Sequence, residues 1–485
     1  MIDVVLGVDS STQSCTVELR EVGTGRLMGT GRAPHPQTFP PRSEQHPSDW
    51  WRALRDAIRQ ATAHHQYRIV AVGVGAQCHG LVALDSSGAV LRAAKLWNDT
   101  TSAVQSHRMI ERFGIPWWVA QIGVVPSAAL TITKLAWLAE NEPEVLVRTR
   151  RILLPHDWLV YALTGSFVTD RSEASGTGYY SAHTAVWRED ILQQVVGERQ
   201  WSAMLPEVLG PEGRAGTVSQ AAAAYLGIEA GAVVSAGGGD QHLAAVGIGL
   251  APGDVAFSVG TSGIVSARAH APVRDLSGAI EGVASATGDY LPIASSLNAA
   301  KVTDTMSRLL GVDPEELGRL AMSAPLNPDR PVLAAFLDGE RSPRMPSARG
   351  MLAGLGTAST RAEIALAAFE GVACGLLRGA RSLERAGVPT HGRRIITGGG
   401  ARSGAYRQIL ADLTQRPVLT VDAPEATARG AAIQASAVLH GETVESLSQA
   451  WEPPVRTVTE PQCDRQDIWD RYLSLAELQA DGTTF

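Results

Sequence analysis

Hydrophobic and polar positions alternate along the chain in two periods, which predicts an α/β protein. Short runs rich in β-branched residues predict strands at 2–8, 15–20, 68–75, 231–237, 254–259, 263–267, 393–397 and 418–421. Longer segments with apolar residues three and four positions apart predict helices at 46–62, 129–140, 155–164, 360–386 and 404–415. The Pro-rich segment 34–47 is predicted to be a loop.

A strand–turn–strand unit occurs twice, once near the start of the chain and once near its middle. The first turn reads Gly7-Val-Asp-Ser-Ser-Thr12, and the second reads Gly260-Thr-Ser-Gly263. A chain of 485 residues is too long for one ordinary core. The repetition therefore predicts a duplicated domain, with domains at 1–249 and 250–485.

Composition excludes several classes of partner. The chain has 42 Lys plus Arg and 49 Asp plus Glu, a net charge of −7, which argues against nucleic acid or an anionic membrane. It has no run of 18 apolar residues and no basic segment at Met1, so neither a membrane span nor a signal peptide is expected. The spacing of Cys15, Cys78, Cys374 and Cys463 argues against a zinc site or disulfide framework and favours a cytoplasmic protein.

Both turns can bind phosphate. Small hydroxyl residues at Ser10, Ser11 and Thr12, like those at 260–262, leave backbone N–H groups and hydroxyls exposed to phosphate oxygens. Asp9 at the end of its strand can hold Mg²⁺ through water. Each turn taken alone is also compatible with an ordinary hairpin, and the first with an Asx motif. Their repetition favours two phosphate-binding turns that face one cleft.

A third glycine-rich segment lies between a strand and a helix. It reads Gly398-Gly399-Gly400-Ala401-Arg402-Ser403, and its glycines allow a base or a phosphate to approach the backbone. The spacing also approximates a dinucleotide fingerprint, with Asp422 as the acidic residue. That alternative is disfavoured because Ser403 replaces the third glycine and because it leaves both hairpins unexplained.

Polar residues that follow predicted strands are candidates for substrate binding and catalysis. Asp240 follows Gly237–Gly239 at the start of a helix, where it can act as a general base or simply as an N-cap. The segment Gln77-Cys78-His79 and the segment Trp97-Asn98-Asp99 supply amides, an imidazole, a carboxylate and an aromatic face. Together these groups are suited to bind a polyhydroxylated metabolite.

In order and spacing, these motifs resemble the FGGY family of carbohydrate kinases, in the sugar kinase/actin/heat-shock ATPase superfamily. The resemblance covers nearly the whole chain and includes Arg429-Gly-Ala-Ala432. It implies an α/β fold of two actin-like, RNase H-like domains flanking a deep cleft. Sugar is then expected mainly on residues 1–249 and nucleotide mainly on residues 250–485.

The resemblance also implies residue roles. It makes Asp240 the catalytic base and gives Mg²⁺ to Asp9 and Asp240, through water. The implied substrate-binding residues are Gln77, Cys78, His79, Trp97, Asn98, Asp99, Asp240 and Gln241. The implied ATP-binding residues are Ser10, Ser11, Thr12, Gly260, Thr261, Ser262, Gly398, Gly399, Gly400, Ala401 and Ser403.

Within the family the motifs are most similar to those of D-xylulose kinases, which implies phosphorylation of D-xylulose to D-xylulose 5-phosphate. D-Ribulose, another ketose, a polyol or an aldonate stays open as the substrate, and a non-enzymatic actin-like ATP-binding protein is the remote alternative. The oligomeric state is also open, with a homodimer as one candidate. The sequence departs from the family pattern at Ser11 (commonly Gly), Cys78 (commonly Met) and Gln241 (commonly Asn). It also has Thr100-Thr101 after Trp-Asn-Asp, where family members often have an Arg. These departures leave the identity of the sugar uncertain.

Overall fold

The computed structural model describes residues 2–342 and 344–480. Backbone contacts divide this chain into two compact units. The first unit comprises the chain up to Gly249 together with Gly282–Tyr290 and Ala423–Pro453. The second comprises Leu250–Glu281, Leu291–Asp422 and the described residues from Pro454 onward. The predicted domains differ from these units because two later segments belong to the first unit.

Up to residue 249, strands form a large sheet and several two-stranded pairings. They are β1 (Ile2–Ser10), β2 (Ser14–Glu21), β3 (Leu27–Pro34), β4 (Glu44–Gln45), β5 (Tyr67–Ala76), β6 (Val82–Leu84), β7 (Ala94–Lys95), β8 (Arg151–Leu153), β9 (Val168–Asp170), β10 (Tyr180–Ser181), β11 (Val186–Trp187), β12 (Glu207–Leu209), β13 (Arg214–Thr217), β14 (Val233–Ser235) and β15 (Gly238–Gly239). The helices of this part are α1 (Pro47–Ala61), α2 (Ala103–Phe113), α3 (Ile115–Ile122), α4 (Thr131–Asn141), α5 (Pro143–Arg148), α6 (Pro155–Thr164), α7 (Arg171–Ala174), α8 (Glu189–Val195), α9 (Gln220–Leu226) and α10 (Asp240–Gly247).

From residue 250 onward, a second large sheet is accompanied by longer helices. Its strands and one further pair are β16 (Val255–Val259), β17 (Gly263–Ala267), β18 (Ile293–Ser296), β19 (Val332–Ala334), β20 (Met351–Ala353), β21 (Arg394–Thr397), β22 (Val418–Val421) and β23 (Val455–Thr459). The helices are α11 (Ala300–Leu310), α12 (Pro314–Ser323), α13 (Arg361–Arg385), α14 (Gly404–Thr414), α15 (Ala426–His440), α16 (Val444–Ala450) and α17 (Gln466–Ala480).

The two large sheets share one topology. The first has the strand order β3-β2-β1-β5-β14-β13, and the second has the order β18-β17-β16-β21-β22-β23. In both, the three leading strands are antiparallel, the next two pairings are parallel, and the last strand is antiparallel. The structure therefore repeats one sheet in each unit, as the two hairpin turns predicted.

Alternation along β1 divides the core of the first unit into two layers. Val4, Leu6 and Val8 pack on the side of α1, α6 and α9. Val5 lies in the other layer, which is built from α10, α15 and α16. Because side chains alternate across a strand, Gly7 and Asp9 face the same side as Val5. Gly7 lets α15 approach closely, since a Cβ there would collide with the carbonyl oxygen of Ala428.

Local sequence signals mark the start of two long helices, α13 and α1. The long helix α13 begins at a capping box, in which Thr360 and Glu363 exchange hydrogen bonds. α1 has a proline at its start and buries Trp50, Leu54, Ala57 and Ile58. Among residues 2–342 and 344–480, no helix combines the length and apolar character needed to cross a membrane.

The predicted strands and helices are confirmed to within two residues at each end. The strand predicted at 231–237 covers only Val233–Ser235. Gly237 adopts a φ of 81°, and this left-handed conformation interrupts the strand before the short β15. This interruption sets the position of β15 and of Asp240, the first residue of α10, at the candidate active site.

Candidate active site

Two chain segments meet at one end of the first sheet. β15 pairs in parallel with the last residues of β5, so the residues that follow each strand come together. Cys78 follows β5, and Asp240 is the first residue of α10. The Sγ atom of Cys78 donates a hydrogen bond of 3.3 Å to Oδ1 of Asp240. The structure therefore brings these two segments, both of which contain predicted site residues, into contact.

The turn before Asp240 is held by a residue that sequence reasoning missed. Gln434 on α15 accepts hydrogen bonds at Oε1 from the Ser235 hydroxyl (2.9 Å) and the Gly237 N–H (3.0 Å). Its Nε2 donates to the Gly237 carbonyl at 3.0 Å. Gln434 is fully buried, so this turn is rigidly positioned by a helix far along the chain. Nothing in the sequence pattern around Gln434 indicates the contact.

Asp240 has the electrostatic properties of a base near neutral pH. Burial raises its pKa to about 6, and the neighbouring Glu173 carboxylate contributes, although the hydrogen bond from Cys78 opposes the shift. Its Oδ1 also accepts the N–H of Gln241 at 2.7 Å. The Gln241 side chain is half-buried next to it. A general base is most effective when its pKa lies close to the working pH.

Asp9 faces the same layer as the beginnings of α10 and α15. Burial raises its pKa well above the usual range, and the carboxylates of Asp240 and Glu425 raise it further, while Arg32 lowers it. Its Oδ1 is buried and has no hydrogen-bond partner among the residues that the structure describes. A divalent cation would relieve this repulsion and use that oxygen, so the residues present fit Mg²⁺.

Glu173 is a second site residue that sequence reasoning missed. It lies on α7, is fully buried, and contacts both the backbone and the ring of His79. Burial alone would raise its pKa, but the hydrogen bonds and the nearby imidazoles of His79 and His156 lower it to about 2. Asp170 caps α7 by accepting the N–H groups of Ser172 and Glu173. Only this capping pattern, which is common in structural helices, could have drawn attention to the segment.

The first hairpin turn is connected to the predicted sugar-binding residues. The Thr12 hydroxyl donates to Oε1 of Gln77 at 3.3 Å and accepts the indole N–H of Trp97 at 2.9 Å. Gln45 donates to the Thr12 carbonyl at 2.9 Å. The Ser11 hydroxyl closes the turn on the Ser14 carbonyl. The Gln77 side chain is buried and therefore supports the turn, while the Trp97 ring is 37% exposed.

Asn98 and Asp99 are placed differently from each other. Asp99 is fully buried, and its carboxylate accepts from the Ser43 N–H, from the N–H and hydroxyl of Thr101, and from Lys95. These bonds organise the turn after β7. Asn98 is half-buried and its Oδ1 has no hydrogen-bond partner within the described part of the chain. Asn98 and Trp97 are thus better placed than Asp99 to contact a ligand.

In the second unit, the predicted nucleotide-binding loops lie at neighbouring strand ends. The turn Gly260–Ser262 connects β16 to β17, and residues 398–403 follow β21, which pairs in parallel with β16. Gly398 has a φ of 79°, and a Cβ there would lie within 3.0 Å of the Val259 backbone. Glycine is therefore required for the close approach of these two loops. Thr261, Gly398 and Gly399 are exposed.

Comparison with known proteins identifies the family. Residues 4–247 match the N-terminal domain of the FGGY family of carbohydrate kinases, and residues 255–439 match its C-terminal domain. The chain belongs to this family. It is a carbohydrate kinase with the family's two-domain, actin-like fold, and kinases of this family use ATP as a substrate.

Several relatives of this kinase are named for one activity. It is 39% identical over 474 residues to a protein named xylulose kinase from Streptomyces rubiginosus, covering 97% of this chain and 95% of that protein. A protein of the same name from Streptomyces coelicolor is 39% identical over 450 residues, covering 92% and 90%. The crystal structure of xylulose kinase from Bifidobacterium adolescentis is 35% identical, with a TM-score of 0.88, covering 98% of this chain and 99% of that one.

Proposed function

We propose that this kinase transfers the γ-phosphoryl group of ATP to the terminal C5 hydroxyl of D-xylulose, with Asp240 as the general base. The names of the Streptomyces and Bifidobacterium relatives support the sugar. The observation that carries the catalytic role is the position of Asp240, which is half-buried at the start of α10 beside Cys78 and has a pKa of about 6.

The hydrogen bonds of Asp240 suggest which oxygen is used. Both Cys78 and the N–H of Gln241 donate to Oδ1, which leaves Oδ2 as the acceptor for a substrate hydroxyl. In the transfer step the sugar oxygen bonds to the γ-phosphorus, the bond from that phosphorus to ADP breaks, and the hydroxyl proton passes to Oδ2. The two protein donors hold the carboxylate in one orientation during this step.

The remaining polar residues bind and orient the substrates. His79, Asn98 and Trp97 contact the sugar in this proposal, while Gln77 and Asp99 support them from within the protein. Ser10, Ser11 and Thr12 hold phosphate oxygens. In the second unit the turn 260–262 also holds phosphate, and the segment 398–403 lies against the adenosine. A Mg²⁺ ion bound through water by Asp9 and Asp240 would supply charge neutralisation for the phosphate oxygens.

A reducing compartment fits the four cysteines, all of which are free, and we place the kinase in the cytoplasm. D-Ribulose, another ketose, a polyol or an aldonate is the alternative substrate. These alternative substrates should be tested because Cys78 and Gln241, which depart from the family pattern, both contact Asp240.

The test measures coupled ADP release over ketopentoses, polyols, aldonates and glycerol. We expect the highest kcat/KM with D-xylulose. Asp240→Asn should lower kcat by about 10²–10⁴ because it cannot accept the proton. The exposed Asp304→Asn serves as the matched control and should retain activity. A higher kcat/KM for another sugar would overturn the substrate, and near-normal turnover by Asp240→Asn would overturn the base.

A further inference from the structure

Three potential metal ligands converge beside Asp240, although they lie far apart in the sequence. One ligand atom each from Cys78, Glu173 and His242 can be chosen so that all three lie within 4.8 Å of one another. All three residues are buried, with Glu173 1% and His242 2% exposed. The spacing of the cysteines argues only against a zinc site whose ligands are close in sequence. It does not apply to these three residues, which the fold brings together.

The cluster contains polar atoms that the protein leaves unsatisfied. Oε2 of Glu173 and Nδ1 of His242 are buried and make no hydrogen bond to the residues that the structure describes. The other oxygen of Glu173 is engaged by His79, so the side chain is held with Oε2 directed at the cluster. Unsatisfied buried polar atoms are costly and uncommon in folded proteins. Two residues of this cluster each carry such an atom, and Oε2 of Glu173 faces the other two side chains, which favours a ligand here.

Gly239 provides the space into which these side chains converge. A Cβ on Gly239 would lie within 3.0 Å of Oε2 of Glu173, Sγ of Cys78 and a ring carbon of His242. The three groups therefore surround a small volume at a residue that has no side chain. Thiolate, imidazole and carboxylate are each ligands that Zn²⁺ accepts, and three protein ligands leave a fourth position open, whereas Mg²⁺ selects oxygen ligands.

We propose that Cys78, Glu173 and His242 form a binding site for Zn²⁺, and that its occupation inhibits the kinase. As the metal–sulfur bond forms, the thiol proton leaves to solvent, so Cys78 no longer donates to Asp240. Burial raises the pKa of this thiol, the carboxylates of Glu173 and Asp240 raise it further, and a divalent cation compensates both negative charges. The inhibitory part of the proposal rests on the proposed role of Asp240, and the binding part does not.

The binding test uses Co²⁺ as a spectroscopic probe on the metal-free full-length chain, without Mg²⁺ or nucleotide. We expect one Co²⁺ per chain, a thiolate-to-cobalt absorption band, and displacement of the ion by Zn²⁺. Cys78→Ala should lose the band, and His242→Ala should weaken binding at least tenfold. Cys463→Ala, which removes a more exposed thiol in the second unit, is the matched control and should bind as the wild type does.

The activity test follows ADP release at saturating Mg²⁺ while Zn²⁺ is added. Wild type and Cys463→Ala should be inhibited and recover with a zinc-selective chelator, whereas His242→Ala should stay active at the same Zn²⁺ concentrations. A band that persists in both Cys78→Ala and His242→Ala, or no band in the wild type, overturns the site. Normal Zn²⁺ binding without inhibition overturns only the inhibitory role. This result is distinct from the failure of D-xylulose as the substrate, because metal binding and sugar specificity are measured separately.

Discussion

The Glu173 carboxylate contacts both the backbone and the imidazole ring of His79. The N–H of His79 donates to Oε1 of Glu173 at 2.5 Å, and Nδ1 of the same residue lies 3.4 Å from that oxygen. His79 has a φ of 63°, a left-handed conformation that is uncommon for a residue with a side chain. The buried carboxylate thus stabilises a strained backbone at the point where the substrate is proposed to bind.

Replacing Glu173 by Gln should shift the pH dependence of the kinase. If Asp240 is the general base, as proposed, kcat/KM should rise as the pH rises through about 6 and level off above it. The negative charge of Glu173 raises the pKa of Asp240, so Glu173→Gln should move this acid limb to lower pH. A pH profile of kcat/KM for the wild type and the variant measures the shift.

The exposed Glu442→Gln is the matched control and should leave the profile unchanged. An acid limb that stays in place in Glu173→Gln would show that Glu173 does not influence the catalytic group.

Asp240→Asn should stabilise the protein above neutral pH while it lowers activity. The pKa of Asp240 is raised on folding, so the folded state favours the protonated form and loses stability as the pH rises from about 4 through about 6. The neutral amide avoids that loss, and one pKa unit corresponds to about 1.4 kcal/mol, so we expect a gain of about 1–3 kcal/mol at pH 8. No gain is expected at pH 4.

Intrinsic fluorescence is a suitable measurement, because every tryptophan except Trp469 lies in the first unit. Thermal unfolding of the wild type and Asp240→Asn should differ in Tm at pH 8 and converge at pH 4. Equal Tm values at both pH values would contradict a destabilising charge at Asp240.

His156→Gln should destabilise the first unit. Burial opposes the charged imidazole, but Asp157 at 2.9 Å and Asp170 at 3.4 Å outweigh it and raise the pKa of His156 to about 9. Removing the cation leaves two buried carboxylates without a positively charged partner, which costs about 3–5 kcal/mol. Because the pKa of His156 is raised on folding, its stabilising contribution is complete below about pH 6.5 and is lost as the pH rises through about 9. The difference in unfolding free energy between the wild type and His156→Gln should therefore narrow between pH 7 and pH 9.5.

Urea unfolding followed by tryptophan fluorescence at both pH values tests this. The control is His107→Gln, since His107 and Glu111 form an ion pair that is mostly exposed and contributes little. A difference that stays constant with pH would indicate lost packing instead of a lost charge.

Gly430→Ala should disturb the start of α10 and therefore the position of Asp240. A Cβ on Gly430 would collide with the carbonyl oxygen of Leu243, because α10 and α15 pack backbone to backbone. Overpacking of this kind costs about 1–3 kcal/mol, and we expect kcat to fall as well. Gly210→Ala has open space and ordinary backbone geometry, so it should change neither Tm nor kcat.

The sequence predicts the four central strands of each large sheet, because short runs rich in β-branched residues mark them. It does not predict the outer strands, which are β3, β13, β18 and β23. It could not show which way a polar side chain points after a strand ends. Asp99 is predicted to bind sugar, but in the structure its carboxylate accepts hydrogen bonds from Ser43, Thr101 and Lys95. Its role in sugar binding stays a prediction. Glu173 and Gln434 reach the site across 94 and 197 residues of sequence, and no local pattern encodes such contacts.

The late position of α15 has a consequence for synthesis of the protein. This helix covers one face of β1 and β5 and fixes the Gly237 turn through Gln434, yet it occupies residues 426–440. A nascent chain on the ribosome therefore carries an incomplete first unit, with one face of its sheet exposed, until residues 426–440 have been made. The two halves of this duplicated protein are consequently not separable by cutting the gene at residue 249.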